Sequence, residues 1–266
     1  MLKLVILIIY FAVLIGIGLY CRKHATDVNG FVLGGRSVGP WLTAFAYGTS
    51  YFSAVVFVGY AGQFGWKYGI AATWAGIGNA IIGSLLAWVV LGRRTRIMSQ
   101  HLDSATMPQY FGKRFGSNPL KIGASVIIFI FLIPYTASLY NGLSRLFGMA
   151  FNIDYSVCII IMATLTAIYV IAGGYMATAI NDFIQGIIML FGIVAVIAAV
   201  IHSKGGFMSA LQGLANVSDP AVSNTPGIFA SFFGPDPFNL LCVVILTSLG
   251  TWGLPQMVQK FYAIDN

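Results

Sequence analysis

Apolar residues gather into long runs separated by short polar stretches. A window of about twenty residues, enough to cross roughly 30 Å of hydrocarbon, picks out candidate spans at 2–20, 40–63, 70–91, 122–147, 155–172, 183–202 and 238–259. These seven runs predict an all-α polytopic membrane protein. The first run has the look of a signal peptide, but it is long enough to span a bilayer and lacks a small-x-small cleavage site, so it is read as the first transmembrane helix.

Composition agrees with that class. Hydrophobic residues make up 58% of the 266, charged ones 8%, and the mean hydropathy is +0.87. The acidic side is seven Asp with no Glu against fourteen Lys and Arg, a net charge of +7. In a soluble protein that surplus would suggest nucleic acid as a partner. Here the basic residues sit at span ends, where topology accounts for them, so the expected partner is the lipid bilayer and not nucleic acid.

With the N-terminus outside, the inner face holds Arg22, Lys23, Arg36, Arg93, Arg94, Arg96, Lys113, Arg114, Lys121 and Lys260. The outer face keeps Lys3, Lys67, Arg145 and Lys204, a bias of ten against four that also places residue 266 inside. These residues are read as solvated topology markers of a protein in the plasma membrane. Two loops are long. The inner one, 92–121, contains a short helix opened by Pro108 and closed by Gly116; the outer one, 203–237, is rich in turn-forming residues, with a short helix near 206–214.

Enzyme chemistry lacks its inventory. The three histidines are not paired at metal-ligand spacing, no two carboxylates approach each other within a span, there is no phosphate-binding Gly-Lys-Ser/Thr sequence, and Cys21, Cys158 and Cys242 show no redox spacing. A transporter driven by an ion gradient needs only oxygen ligands near the bilayer midplane, from hydroxyls and from backbone freed at helix breaks. Stretch 44–62 crowds Gly48, Thr49, Ser50, Tyr51 and Ser53 into a lipid-spanning segment. Stretch 238–259 does the same with Thr247, Ser248, Gly250, Thr251, Trp252, Gly253, Pro255 and Gln256, and Pro255 is expected to free the carbonyl of Thr251. Alone, either is equally a kinked packing helix. As a pair five spans apart they point to two broken helices framing a site, whereas Pro134 reads as a packing kink. Asp182, where the sixth run begins, is either a helix cap or a functional carboxylate.

The motifs resemble the sodium:solute symporter family. Gly173-Gly174-Tyr175-Met176-Ala177 followed by Asn181-Asp182-Phe183-Ile184-Gln185 looks like its signature, joined by Gly34-Gly35-Arg36-Ser37, Met107-Pro108-Gln109-Tyr110, Arg114-Phe115-Gly116 and Gly253-Leu254-Pro255-Gln256. The resemblance implies a Na⁺-coupled symporter on a five-plus-five inverted repeat. Residues 1–39 would then be an extra helix and loop, 40–202 the first repeat, 203–237 the outer loop, and 238–266 the first helix of a second repeat. It further implies that backbone carbonyls of Thr49 and Phe52 ligate sodium, that Asp182 sits on an ion path or at a further ion site, and that Tyr51, Ser53, Val56, Ser248, Thr251, Trp252 and Gln256 face a small organic solute. Na⁺ would be the coupling ion, with no organic cofactor.

Proline members carry Asp where this chain has Tyr51 and Gln where it has Leu254, while Tyr51, Asn181-Asp182 and Gly253-Leu254-Pro255 look closer to the pantothenate members. Family members run to roughly twice this length, so the chain is expected to be an N-terminal half whose sodium cage is completed elsewhere. The alternative reading is a transporter-like sensor module feeding a signalling domain.

Overall fold

The computed structural model describes residues 2–52 and 60–265, and its repetitive structure is helical. The first helices are α1 (Leu2–Cys21), α2 (Val28–Leu33), α3 (Pro40–Tyr51), α4 (Ala61–Tyr68) and α5 (Thr73–Gly78). Two π-helical segments follow, Asn79–Leu86 and Trp88–Gly92. Then come α6 (Arg93–His101), α7 (Met107–Phe115), α8 (Asn118–Phe151), α9 (Tyr155–Ser203), α10 (Phe207–Ala215), α11 (Pro237–Gly250) and α12 (Pro255–Ala263). Proline opens α3, α7, α8, α11 and α12, where its fixed φ suits the first turn and its missing N–H costs nothing. Thr106, Ser117 and Asp236 cap α7, α8 and α11 by accepting a backbone N–H three residues on.

By length and composition, Ala61–His101, Asn118–Phe151 and Tyr155–Ser203 can each cross a membrane; α11 and α12 together make a fourth span, broken in the middle. Val5–Cys21 is a shorter apolar helix. These helices do not by themselves give the count of seven spans that the sequence suggests. Phe129, Phe131 and Ile133 on α8, and Phe191 and Val194 on α9, are exposed, an arrangement that suits lipid and not water. This is an all-α polytopic membrane protein.

α9 takes in both the fifth and sixth apolar runs as two helical stretches that meet at a break at Gly174, and the polar residues 175–182 are themselves helical. Gly174 has φ 57° and ψ −149°, and a Cβ there would lie 2.8 Å from the Phe31 carbonyl oxygen. Glycine alone combines that dihedral pair with that approach. Gly174→Ala is expected to cost about 2 kcal/mol, read as a lower thermal midpoint in detergent; an unchanged midpoint would show that the backbone relaxes there freely.

The chain divides into two compact units. The first comprises 1–55, 91–186 and 255–266, the second 56–90 and 187–254. In the first, the left-handed turn Gly34–Arg36 places the Arg36 guanidinium among the Ser99 hydroxyl (3.3 Å) and the carbonyls of Ser99 (3.3 Å), Ser104 (2.8 Å) and Tyr262 (3.4 Å). Burial, with Arg96 nearby, lowers its pKa, while Asp103 and Tyr262 oppose that shift. Arg96 donates to the carbonyls of Ile264 and Asp265, Gln259 to that of Val32 (2.6 Å), and Val38 pairs with Ile264 in a short parallel bridge. Arg36 and Arg96 are therefore not the solvated markers that their positions suggest. Each ties together segments far apart in sequence.

The second unit is built on Tyr68, Ala71, Ala75, Leu240 and Val244, with Phe64, Ala72 and Trp74 packed against them. Asn79 donates to the Thr247 hydroxyl at 3.0 Å, and Gly78 lets α11 pass so close that a Cβ would collide with Val244. The 203–236 loop folds back on the same unit. Trp74 donates its indole N–H to the Phe232 carbonyl (3.0 Å), and Gly69 lies directly under the Phe229 backbone.

Candidate functional site

In the first unit, the expected weakness in stretch 44–62 is a helix end. α3 stops at Tyr51, and Phe52 takes φ −89° and ψ 61° while its N–H still donates to the Gly48 carbonyl at 2.8 Å. Thr49 turns its hydroxyl onto its own helix, donating to the Phe45 carbonyl at 2.9 Å. The last turn of α3 rests on α9. Gly186 lies against Phe45 and Thr49, and the Phe45 and Phe183 rings meet edge to face at 4.8 Å. Tyr51 is buried, and Tyr47 beside it stacks on Phe261 at 6.1 Å. Ser53 and Val56 lie outside the described residues.

Asp182 is interior to α9, eight residues beyond the Gly174 break, so it is not a helix cap. Its Oδ2 accepts from the Lys260 Nζ at 3.5 Å, and that ammonium also stands 5.1 Å from the centre of the Tyr175 ring. Lys260 is 6% exposed. Tyr175 and Asp182 are seven residues apart and share one face of α9; Gln256 precedes Lys260 by one turn on α12. On the same two helices, both amide atoms of Asn181, both of Gln256 and the Tyr175 hydroxyl are buried without a hydrogen-bond partner among the described residues. Buried polar atoms in native proteins are nearly always satisfied, so an unpaired group of this size marks a place for water or an ion.

Sequence reasoning placed Lys260 among the inner-face markers and missed this role. In the structure its helix neighbours Met257, Val258, Phe261 and Tyr262 are all buried.

In the second unit, α11 gives way to a 3₁₀ turn at Thr251–Gly253, and Leu254 is extended (φ −67°, ψ 128°) before Pro255 starts α12. This is the second expected break. One detail differs, because the Thr251 carbonyl is not freed by Pro255: it accepts the N–H of Leu254 at 3.3 Å. A 3₁₀ turn shortens the bond by one residue and reuses the acceptor. The Thr251 hydroxyl donates to the Ser248 carbonyl (2.9 Å), and the Trp252 indole to the Ile82 carbonyl (3.0 Å). Ser248 keeps a fully buried hydroxyl with no partner among the described residues, next to Gly78. Thr49, Tyr51, Phe52, Asp182 and Gln256 thus belong to the first unit, and Ser248, Thr251 and Trp252 to the second.

Among the described residues, no three His, Cys, Asp or Glu side chains are grouped to hold a metal ion. The donors on offer are hydroxyl, amide and backbone oxygens with one paired carboxylate, a set that suits a hard monovalent cation better than a transition metal.

Residues 31–266 match the family model described as "Sodium:solute symporter family". The chain is 31% identical over 261 residues to the osmoregulated proline transporter OpuE of Bacillus subtilis (strain 168), covering 97% of this chain and 51% of that protein. It is 32% identical over 272 residues to the sodium/proline symporter of Staphylococcus aureus (strain JH9), covering 98% of this chain and 50% of that protein. The chain spans about half the length of these relatives.

Proposed function

The chain belongs to the sodium:solute symporter family, and we propose that in its complete protein it carries the first half of a Na⁺-coupled symporter importing a small organic solute across the plasma membrane. The observation that carries this reading is the end of α3 at Tyr51–Phe52 together with the break at Thr251–Leu254, each amid hydroxyl residues in an otherwise apolar stretch. Interrupted spans in matching positions of two halves suit a transporter with a midplane site, because irregular backbone at that depth survives only where it is buried in protein or lines a wet cavity.

In this proposal Thr49 and Phe52 give carbonyl oxygens to Na⁺, and Tyr51, Ser53, Val56, Ser248, Thr251, Trp252 and Gln256 face the solute. The fold is the five-plus-five repeat, with the N-terminus outside and residue 266 on the cytoplasmic side. The solute is a carboxylate or amino acid. Proline, the solute named for the relatives, and pantothenate, towards which Tyr51 and Leu254 lean, are the first two to test.

The test is uptake of labelled proline and pantothenate by the complete protein in proteoliposomes under an inward Na⁺ gradient. Accumulation above the level reached in a matched K⁺ gradient is expected for one of them. Accumulation indifferent to Na⁺ would remove the coupling, and a complete protein that binds solute but never moves it would favour a sensor.

A further inference from the structure

The Asp182 carboxylate sits beside the one kind of partner that makes a bound cation unnecessary. Lys260 Nζ is 3.5 Å from its Oδ2, and Lys260 itself is almost fully buried. The Asp182 side chain is half-buried, at 23% exposure, and a carboxylate so far withdrawn from water is stabilised by a positive charge within a few ångströms. A sodium ion can supply it, or a tethered ammonium can.

We propose that the Lys260 ammonium is the built-in counter-ion of Asp182, occupying the position a coupling cation would otherwise take, so that Lys260 sets how many Na⁺ the transporter binds. The inference rests on the Na⁺-coupled reading above and adds to it the residue that limits ion number. Three features support an exchangeable position and not merely a fastening between helices. The ammonium has one carboxylate oxygen and the face of the Tyr175 ring as its recorded partners, which leaves donor capacity unused for a group that carries three N–H bonds. The Tyr175 hydroxyl, on the ring that the ammonium faces, and the amides of Asn181, adjacent in sequence to Asp182, and Gln256, one turn before Lys260, have oxygens that nothing else in the described residues takes up. Lys260 also lies on the short helix that begins immediately after the break at Leu254, so its place depends on the element expected to rearrange during transport.

Removing the ammonium while keeping its shape should then leave a negatively charged, oxygen-lined position. Na⁺ is small enough to fill it and prefers such ligands. The experiment is equilibrium binding of ²²Na⁺ to the complete protein, purified in detergent and monodisperse by gel filtration, with no solute added. Lys260→Met is expected to bind one more Na⁺ per chain than wild type, and the double variant Lys260→Met/Asp182→Asn to return to the wild-type number. Lys260→Arg, which keeps the charge, should match wild type. Asp182→Asn alone should lower thermal stability without lowering the number of Na⁺ bound.

A Lys260→Met protein that binds the wild-type number overturns the proposal. If that variant does not fold, a loss of one Na⁺ in Asp182→Asn overturns it equally, because Asp182 would then be an ion ligand in the native protein. Wild-type protein that binds no Na⁺ at all would instead defeat the Na⁺-coupled reading itself, so the two failures are separate.

Discussion

Replacing Arg36 with Met is expected to lower the stability of the first unit by roughly 3 kcal/mol or more, the range for losing hydrogen bonds to a charged group when its partners stay buried. The guanidinium reaches the Ser99 hydroxyl and the carbonyls of Ser99, Ser104 and Tyr262. Ser99 and Ser104 are fully buried, and Tyr262 is 1% exposed. Met fills similar space but donates nothing. The Ser99 carbonyl would keep the N–H of Ser104 at 2.9 Å, whereas the Ser104 and Tyr262 carbonyls have no other recorded donor. Lys should rescue only part, because one ammonium on a flexible stem cannot present the planar fork that serves several acceptors at once. The buried thiols of Cys21 and Cys158 offer a readout. Heating with a thiol-reactive dye should show a midpoint order of wild type, then Arg36→Lys, then Arg36→Met, with exposed Cys242 setting the baseline. Equal midpoints would reduce Arg36 to a surface marker.

That hub and the Lys260–Asp182 pair show what the sequence could and could not disclose. Local signals were legible: Pro108 and Gly116 bracket α7, the short helix expected at 206–214 runs Phe207–Ala215, and α3 ends and α11 gives way to α12 where hydroxyls and glycines interrupt the apolar pattern. Such signals depend on neighbours within a turn or two, and so they survive without knowledge of the tertiary structure. Arg36 meets Tyr262 across 226 residues, and Lys260 meets Asp182 across 78. Nothing periodic marks those meetings, and a basic residue near a span end looks the same whether it faces water or a buried carboxylate. The Thr251 carbonyl was misjudged for a smaller reason: Pro255 was treated as sitting inside a helix, while the structure lets one helix end and another begin.

The lean towards pantothenate rested on Tyr51, Asn181-Asp182 and Gly253-Leu254-Pro255, whereas the relatives named above are proline transporters at 31% and 32% identity. Tyr51 lies at the end of α3 and Leu254 at the break before α12, where a single side chain can change the solute without changing the fold. Identity spread over a whole chain reports the scaffold, and a substrate preference is set by a few residues in the cavity. The uptake comparison of the two solutes therefore discriminates where overall similarity does not.

Gly69→Val is expected to be the most damaging single change in the second unit, exceeding about 3 kcal/mol, because it combines a forbidden dihedral with a backbone collision. Gly69 has φ 61° and ψ −138°, outside the regions open to a β-branched residue. Its added Cβ would run into the Phe229 carbonyl oxygen and lie 2.7 Å from the Phe229 carbonyl carbon and Cα. Backbone cannot move aside as a side-chain tip can, so either α4 shifts or the turn Ile228–Ala230 lifts off. The turn is the weaker element, three residues of 3₁₀ helix held by Phe229, itself 2% exposed, and by the Trp74 bond to Phe232. Undocking should expose the 216–236 segment to protease added to the face on which that loop lies, with cleavage much faster than in wild type. Gly65→Ala is the control within the same helix, because a Cβ there meets nothing within 4 Å and alanine is the better helix former. Cleavage of Gly69→Val at the wild-type rate would mean that the loop is not held through this contact. Protection retained by Gly65→Ala and lost by Gly69→Val would assign the docking of the outer loop to a glycine that the sequence pattern gave no reason to single out.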